Sequence, residues 1–412
     1  MNKQKVSKFS YGSIIVAACF LIQGIGVGSF IAYGVFFKPL LGEFGWSRAT
    51  ISGASSMAFL LMGLLGIVAG NLNDKFGPRI IMAVTGVLFG SAYLLLSKLH
   101  SAWQLYLFFG LVGGMGLSSM DVIPLTTIAR WFVRRRGTMT GIVKVGTGAG
   151  QLVMPLLAGM FIIDYGWRFA AVFVGIVVLV FVIGSGLLLR RDPGQMGQLP
   201  DGGREPPQDQ MVSSDTGLPL QEAIRSGTFW MVCLVCLLAG SCFLTIMVHI
   251  VPHAIDIGME PIKAAGVLST LGGVSMLGRL STGLAIDRIG NKKSLIMCFI
   301  LLILSFLWLR VSEDMWMLYL FAVIYGVAHG AFFTVLSPIA ARLFGIGSHG
   351  LFFGIVAFSV TVGGAVGPVL AGLIFDITTS YQLVFLILTG VSIASLLLSF
   401  SLKPVTANKE HA

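Results

Sequence analysis

The chain has 412 residues, of which 56% are hydrophobic and only 11% charged, and its mean hydropathy is +0.92; a soluble globular domain carries about 25% charged residues. That balance excludes a soluble enzyme. The net charge of +10 would point to nucleic acid only if the basic residues formed one patch; they sit instead in short loops between apolar segments, so the solvent of this chain is a bilayer and no nucleic-acid partner is expected.

A helix that crosses about 30 Å of hydrocarbon needs about 20 apolar residues. Twelve segments qualify in chain order: Tyr11–Phe36, Ala49–Val68, Ile80–Ser97, Trp103–Ile128, Gly137–Ile163 and Phe169–Leu189, then Phe229–Ile255, Ala264–Ile286, Ser294–Leu309, Met315–Ala341, Gly350–Phe375 and Tyr381–Leu402. Their apolarity is continuous, where barrel strands would alternate, so an all-α membrane protein is predicted. The first segment is too long for a cleaved signal peptide. Between the sixth and seventh segments lies Arg190–Gly227, rich in Pro, Gly, Asp and Gln, with the run Arg204-Glu205-Pro206-Pro207-Gln208-Asp209-Gln210. Such a composition buries no core and reads as a linker. The expected organisation is a six-helix bundle over residues 1–189, a cytoplasmic linker over 190–227 and a second six-helix bundle over 228–412.

Basic loops stay in the cytoplasm. With the N-terminus inside, nineteen Lys and Arg fall on that side, from Lys3, Lys5 and Lys8 to Lys409, and six on the other; Lys144 and Arg279 remain within spans. Both termini are therefore expected to be cytoplasmic, in a multi-pass protein of a cell inner membrane. The five cysteines all lie inside spans and read as small apolar fillers.

An internal repeat runs at an offset of 213 residues. The loop Gly70-Asn71-Leu72-Asn73-Asp74-Lys75-Phe76-Gly77 matches Gly283-Leu284-Ala285-Ile286-Asp287-Arg288-Ile289-Gly290, and Gly137, Gly141-Ile142-Val143, Pro155 and Leu157-Ala158-Gly159 match Gly350, Gly354-Ile355-Val356, Pro368 and Leu370-Ala371-Gly372. Two parallel six-helix halves follow, related by a pseudo-twofold axis along the membrane normal.

The two Gly-x-x-x-Asp-[Lys/Arg]-x-Gly loops resemble the signature of the major facilitator superfamily, and the resemblance covers the whole chain. Trp131-Phe132-Val133-Arg134-Arg135-Arg136-Gly137-Thr138-Met139-Thr140-Gly141 is similar to the motif that enters helix 5 of monocarboxylate transporters, and the related oxalate/formate antiporters share much of it. The resemblance implies alternating access, a monomeric functional unit, a small organic anion and a proton as partners beside the lipid bilayer, and no cofactor. It also makes Asp74 a conformational latch of the outward-open state, with Asp287 as its counterpart. Physically, a carboxylate at a tight glycine turn can cap a neighbouring helix N-terminus and pair with a nearby Arg; an ordinary loop acid that sets topology is the plainer reading. Glycines on helices 5 and 11 allow close approach at an interface between halves. Gly24, Gly26 and Gly28 lie in an apolar helix without βαβ context and read as packing positions rather than a nucleotide loop.

Charged and titratable residues inside spans are costly and mark function. Arg279 stands mid-helix, cannot deprotonate, and its planar fork matches a carboxylate; the resemblance places a substrate-binding arginine at this point, and a structural ion pair is the alternative. The sequence departs from the family one turn earlier, where Ser275 replaces an aspartate, and the helix 1 lysine of animal monocarboxylate transporters falls near Ile31. Another group must then carry a proton, or the acid enters protonated. Candidates are Asp121, His249, Asp256 and His329, although Asp256 can equally end its helix and His253 sit at the interface. Lys144, two turns inside helix 5, is expected to snorkel to the inner surface; facing the cavity, it would make a second cation and suit a dicarboxylate. His249, Tyr33 and Ser359, with Gln23 and Thr361, are hydrogen-bonding candidates for substrate. The sequence has no phosphate loop and no nucleophile–base or metal set, and a twofold repeat describes an alternating-access machine better than a channel. A secondary transporter of a small monocarboxylate such as lactate or pyruvate by proton symport is expected, with oxalate/formate-type exchange as the alternative.

Overall fold

The computed structural model describes residues 11–46, 48–203 and 219–403; Lys3, Lys5, Lys8, Lys409 and the run Arg204 to Gln210 lie outside the described residues. Twelve long helices are seen among them. In the first half these are α1 (Tyr11–Phe44), α2 (Arg48–Phe76), α3 (Pro78–Leu96), α4 (Ala102–Trp131), α5 (Arg136–Tyr165) and α6 (Trp167–Leu188). The second half holds α7 (Gly227–Asp256), α8 (Pro261–Ile289), α9 (Asn291–Arg310), α10 (Met315–Phe344), α11 (His349–Thr378) and α12 (Gln382–Ser401). Eleven are long and apolar enough to cross a membrane. The remaining one, α8, has 29 residues and is long enough, but Arg279 and a series of Gly and Ser dilute its apolarity.

Several helices run beyond the apolar stretches that define them. α1 continues eight residues past Phe36, through Lys38 and Glu43, because a charged side chain ends an apolar run without ending the backbone ladder. Helices α5, α7, α10 and α11 have 30 residues each, about 45 Å at 1.5 Å per residue. That length spans the hydrocarbon and much of the headgroup layers. What does stop helices is glycine in the left-handed region. Gly77 and Gly290, equivalent positions of the repeat, turn the chain at φ +83° and +87°, which side chains with a Cβ rarely adopt.

α4 is the irregular member. It carries a π-helical stretch at Tyr106–Gly113, and its ladder breaks in a turn at residues 118–121 before resuming at Val122–Trp131. Such interruptions inside a span are tolerated where protein surrounds the backbone. Here α4 is wedged between α2 and α3: a Cβ on Gly114 would press on Ala58 and Leu61, and one on Gly116 on Phe89.

Glycine contacts show how the halves meet. On α5, Gly146 and Gly150 lie against Phe20 and Gly24 of α1 in the same half, whereas Gly137 and Gly141 lie against Gly283 and Arg279 of α8 across the interface. α11 repeats the plan. Its Gly363 and Gly367 meet Leu237 and Ser241 of α7, while Gly350 and Gly354 meet Gly70 and Gly66 of α2. A side chain at any of these points would push two backbones apart, so the spacing of the glycines sets which helices can cross closely.

Candidate functional site

The centre of the molecule is built where α5 crosses α8. Arg279 on α8 is 3% exposed and donates from Nη1 to the backbone carbonyl of Lys144 on α5, 3.0 Å away, while its Nε has no hydrogen-bond partner. Lys144, 5% exposed, forms an ion pair through Nζ with Asp121 Oδ1. It therefore does not snorkel to a membrane surface as the sequence reading expects. It lies three residues after Gly141 and four before Gly148, both of which touch α8, so the helix turns its side chain into the seam instead of toward lipid.

Asp121 sits at the break in α4. Gln23 of α1 holds it there, donating from Nε2 to the carboxylate at 2.7 Å and reaching its backbone carbonyl at 3.4 Å. Gln23 Oε1 in turn accepts from the Thr147 hydroxyl on α5, one turn beyond Lys144. Three helices of one half thus fix a single carboxylate, whose side chain keeps 33% exposure while that of Lys144 keeps 6%. Arg279 lies within electrostatic range of it, and His329 within range of both cations. Among the described residues, the cluster holds two cations and one carboxylate, a surplus of one positive charge.

A second constellation closes one end of the molecule. Asp74, at the end of α2, accepts from the first backbone amides of α11, Gly350 N at 3.2 Å and Leu351 N at 3.1 Å, and pairs with Arg130 Nη2 at 2.8 Å. Asp287, at the end of α8, accepts from Gly137 N at 2.7 Å and Thr138 N at 2.8 Å, at the start of α5. Each carboxylate meets the partial positive charge of a helix N-terminus belonging to the other half. Arg130 also donates to Gly347 O at 3.1 Å, again across the interface. The first part of the linker is attached to the same places: Asp192 reaches Arg130 Nη1 at 3.3 Å, and Asp201 accepts from Val133 N and Arg134 N at 3.0 and 2.8 Å.

The remaining candidates lie apart from this centre in their bonding. Tyr33 stacks on Phe109 with ring centroids 3.9 Å apart and donates its hydroxyl to Ile51 O at 2.8 Å. His249 uses both ring nitrogens, Nδ1 with Tyr381 Oη at 3.0 Å and Nε2 with Pro368 O at 2.9 Å. Because a carbonyl only accepts, Nε2 is the donor to Pro368 O. His253 is buried beside Tyr381 and Phe385, and Asp256 is exposed at the end of α7. His329 packs against Phe243 and Phe333, with Nδ1 unpartnered. Ser359 and Thr361 donate to the carbonyls of Ile355 and Ala357 in their own helix, the local bond such residues commonly make. Sequence reasoning missed Arg130, counted only as a loop charge, and Thr147; the signal for Arg130 was its place on an apolar helix end within reach of the Asp74 turn.

Twelve long helices with buried charges where the two halves cross are the frame in which the family is met. The model of the Major Facilitator Superfamily matches residues 16–284 and 276–412, and the chain belongs to that family. It is 27% identical over 379 residues to monocarboxylate transporter 13 of Bos taurus, covering 92% of this chain and 86% of that protein. Its identity to monocarboxylate transporter 11 of Mus musculus is 27% over 386 residues, covering 92% and 84%. The crystal structure of the human organic anion transporter MFSD10 (TETRAN) superposes with a TM-score of 0.74 at 15% identity, over 94% of this chain and 99% of that one. The chain is thus a monocarboxylate transporter-like member of the superfamily.

Proposed function

We propose that the chain carries a small monocarboxylate of the lactate or pyruvate type across the membrane together with a proton, by alternating access and without chemical change to the substrate. The observation that carries this reading is the central cluster of Arg279, Lys144 and Asp121, in which two buried cations face one carboxylate. An unpartnered guanidinium N–H away from water costs about 1–3 kcal/mol, more for a charged group; a substrate carboxylate on Arg279 removes that cost.

The proton enters through Asp121. In the ionised state its carboxylate is the partner of Lys144. Protonation frees the ammonium, and the substrate carboxylate takes the vacated place between Lys144 and Arg279. The loaded carrier, with one proton and one monoanion, then has the charge of the empty one, so symport is electroneutral. Arg279 comes from one half and Lys144 from the other, so the bound anion is felt by both and favours closure around it. Asp74 and Asp287 act as latches in this scheme, holding the end of the molecule that the basic loops assign to the cytoplasm. The form described is the one closed on that side, both termini lie there, and one chain is the functional unit.

The same cluster supports a second reading. With Asp121 protonated, two free cations suit a dicarboxylate, the chemistry of an oxalate/formate-type exchanger. Proteoliposomes separate the two: uptake of labelled lactate driven by an inward proton gradient supports symport, whereas oxalate/formate exchange with no response to a pH gradient refutes it.

A further inference from the structure

A cavity of about 110 Å³ opens at the basic end of the first half, between the α2–α3 turn and the end of α6, lined in part by Phe76, Arg79, Arg190, Arg191 and Gln195. Its volume is that of about four waters at 30 Å³ each, the scale of one phosphate group. Three guanidiniums share it. Arg79 donates from Nε to Leu189 O at 3.0 Å, which takes one of its five donors. Arg190 lies over the Tyr11 ring at 5.8 Å and bridges to the carbonyls of Leu187 and Leu189 at 3.4 and 3.3 Å. Arg191 pairs from Nε with Asp192 at 3.3 Å, and that acid also serves Arg130. The cavity further includes Gly77 and Pro78, the uncapped start of the 19-residue helix α3, which adds partial positive charge.

The repeat supplies an internal comparison. Lys292 stands 213 residues after Arg79 and donates to Phe400 O at 2.6 Å and Leu402 O at 3.1 Å. Both residues hold the carbonyl end of the last helix of their half, so that task alone needs only an ammonium. Lys292 uses two of its three donors on it. The repeat also has Lys403 where the first half has Arg190; the first half thus places guanidiniums where the second has ammoniums and adds Arg191, and planar forks match phosphate oxygens in pairs. Beside them Phe76, Ile80, Leu187 and Leu188 are exposed on the helix surfaces, an apolar flank for acyl chains directly next to the charges.

We propose that this cavity binds the phosphate of an anionic membrane phospholipid, its chains lying along the exposed ends of α2, α3 and α6. Charge complementarity and the apolar flank select a lipid over free phosphate, and the site does not depend on which substrate is carried. Basic pockets at helix ends recognise anionic headgroups in this way.

The test uses the full chain, purified in detergent and stripped of lipid. Phosphatidylglycerol, phosphatidylcholine and inorganic phosphate are added separately, and bound lipid is counted by native mass spectrometry while the thermal midpoint is followed. One phosphatidylglycerol should bind per chain and raise the midpoint, with an apparent affinity about fivefold weaker in Arg191→Gln and in Arg190→Gln, at about 1 kcal/mol per charge. Lys293→Gln, on the other half, should bind as the parent does. A photoreactive phosphatidylglycerol on the unaltered protein gives a readout independent of variant folding, and should label peptides around Phe76 and Leu189. Equal binding of phosphatidylcholine, unchanged affinity in both arginine variants, or labelling confined elsewhere overturns the site; protection by inorganic phosphate equal to that by the lipid overturns the lipid as its occupant.

Discussion

Removing the carboxylate of Asp287 tests the closed end most cleanly, because it accepts from the amides of α5 and, among the described residues, is not ion-paired as Asp74 is to Arg130. In Asp287→Ala the amides of Gly137 and Thr138 lose their acceptor. Loss of an N-cap costs about 0.5–2 kcal/mol and loss of an exposed charge at a helix N-terminus about 0.3–1 kcal/mol. Asp287 is exposed, so the lower half of the combined range applies, about 1–2 kcal/mol. The contact joins helices of opposite halves, so it is present only while that end is shut, and the whole loss falls on one conformation. At 1.4 kcal/mol per tenfold, the closed population should fall about 5- to 30-fold relative to the open one. Spin labels at the exposed positions Arg134 and Arg288, in a background without the five native cysteines, report the separation of the two halves by double electron–electron resonance. A longer distance should grow in the variant and disappear when the carboxylate is restored as Glu. An unchanged distribution, or a shift toward the shorter distance, would refute the cap as a latch.

Four further outcomes are expected. Arg279→Ala and Arg279→Lys should both abolish substrate binding by isothermal titration, since Lys lacks the planar fork; retained affinity in either sinks the anion-clamp assignment. Asp121→Asn should flatten the pH profile of net lactate uptake while leaving lactate/lactate exchange measurable, and a surviving pH dependence places the proton elsewhere. Lys144→Gln should lower the thermal midpoint, because it strands the one-third-exposed carboxylate of Asp121 at less than the about 3–5 kcal/mol of a fully buried pair, and the double variant with Asp121→Asn should recover much of it; equal midpoints for single and double variants would deny the ion pair. Gly150→Val should destabilise the first half by at least about 1–3 kcal/mol through overpacking, as its Cβ would enter the backbone of Gly24, and a normal melting curve would contradict the close α1–α5 crossing.

The fold was legible because its two strongest signals are one-dimensional. Bilayer thickness fixes the length of each apolar run, and the 213-residue offset needs only comparison of the chain with itself. The centre was legible in part. Arg279 declared itself as a charge amid Val274, Met276 and Leu280, but its bond to the Lys144 carbonyl depends on the phase of two helices from different halves. Lys144 was misjudged because depth along the helix was counted without its azimuth: two turns from Arg136 is short enough to snorkel, yet the face shared with Gly141 and Gly148 leads into protein. Asp121 depends on something no apolar pattern reveals, the interruption of α4 at residues 118–121 that leaves Gln23 bonded to both its backbone and its carboxylate. Ser275 and Ile31 showed only which pair was missing, not that Lys144 and Asp121 meet at the centre.

Asp74 reaches into the second half and Asp287 into the first, so neither bundle holds its own stopper. In a C2 dimer of identical subunits the same exchange arises from a single residue used twice, one on each protomer. The present chain is arranged as such a pair joined end to end by a tether, and its seal at this end is a reciprocal contract: whichever bundle withdraws first forfeits both bonds of its neighbour, so the two must release together.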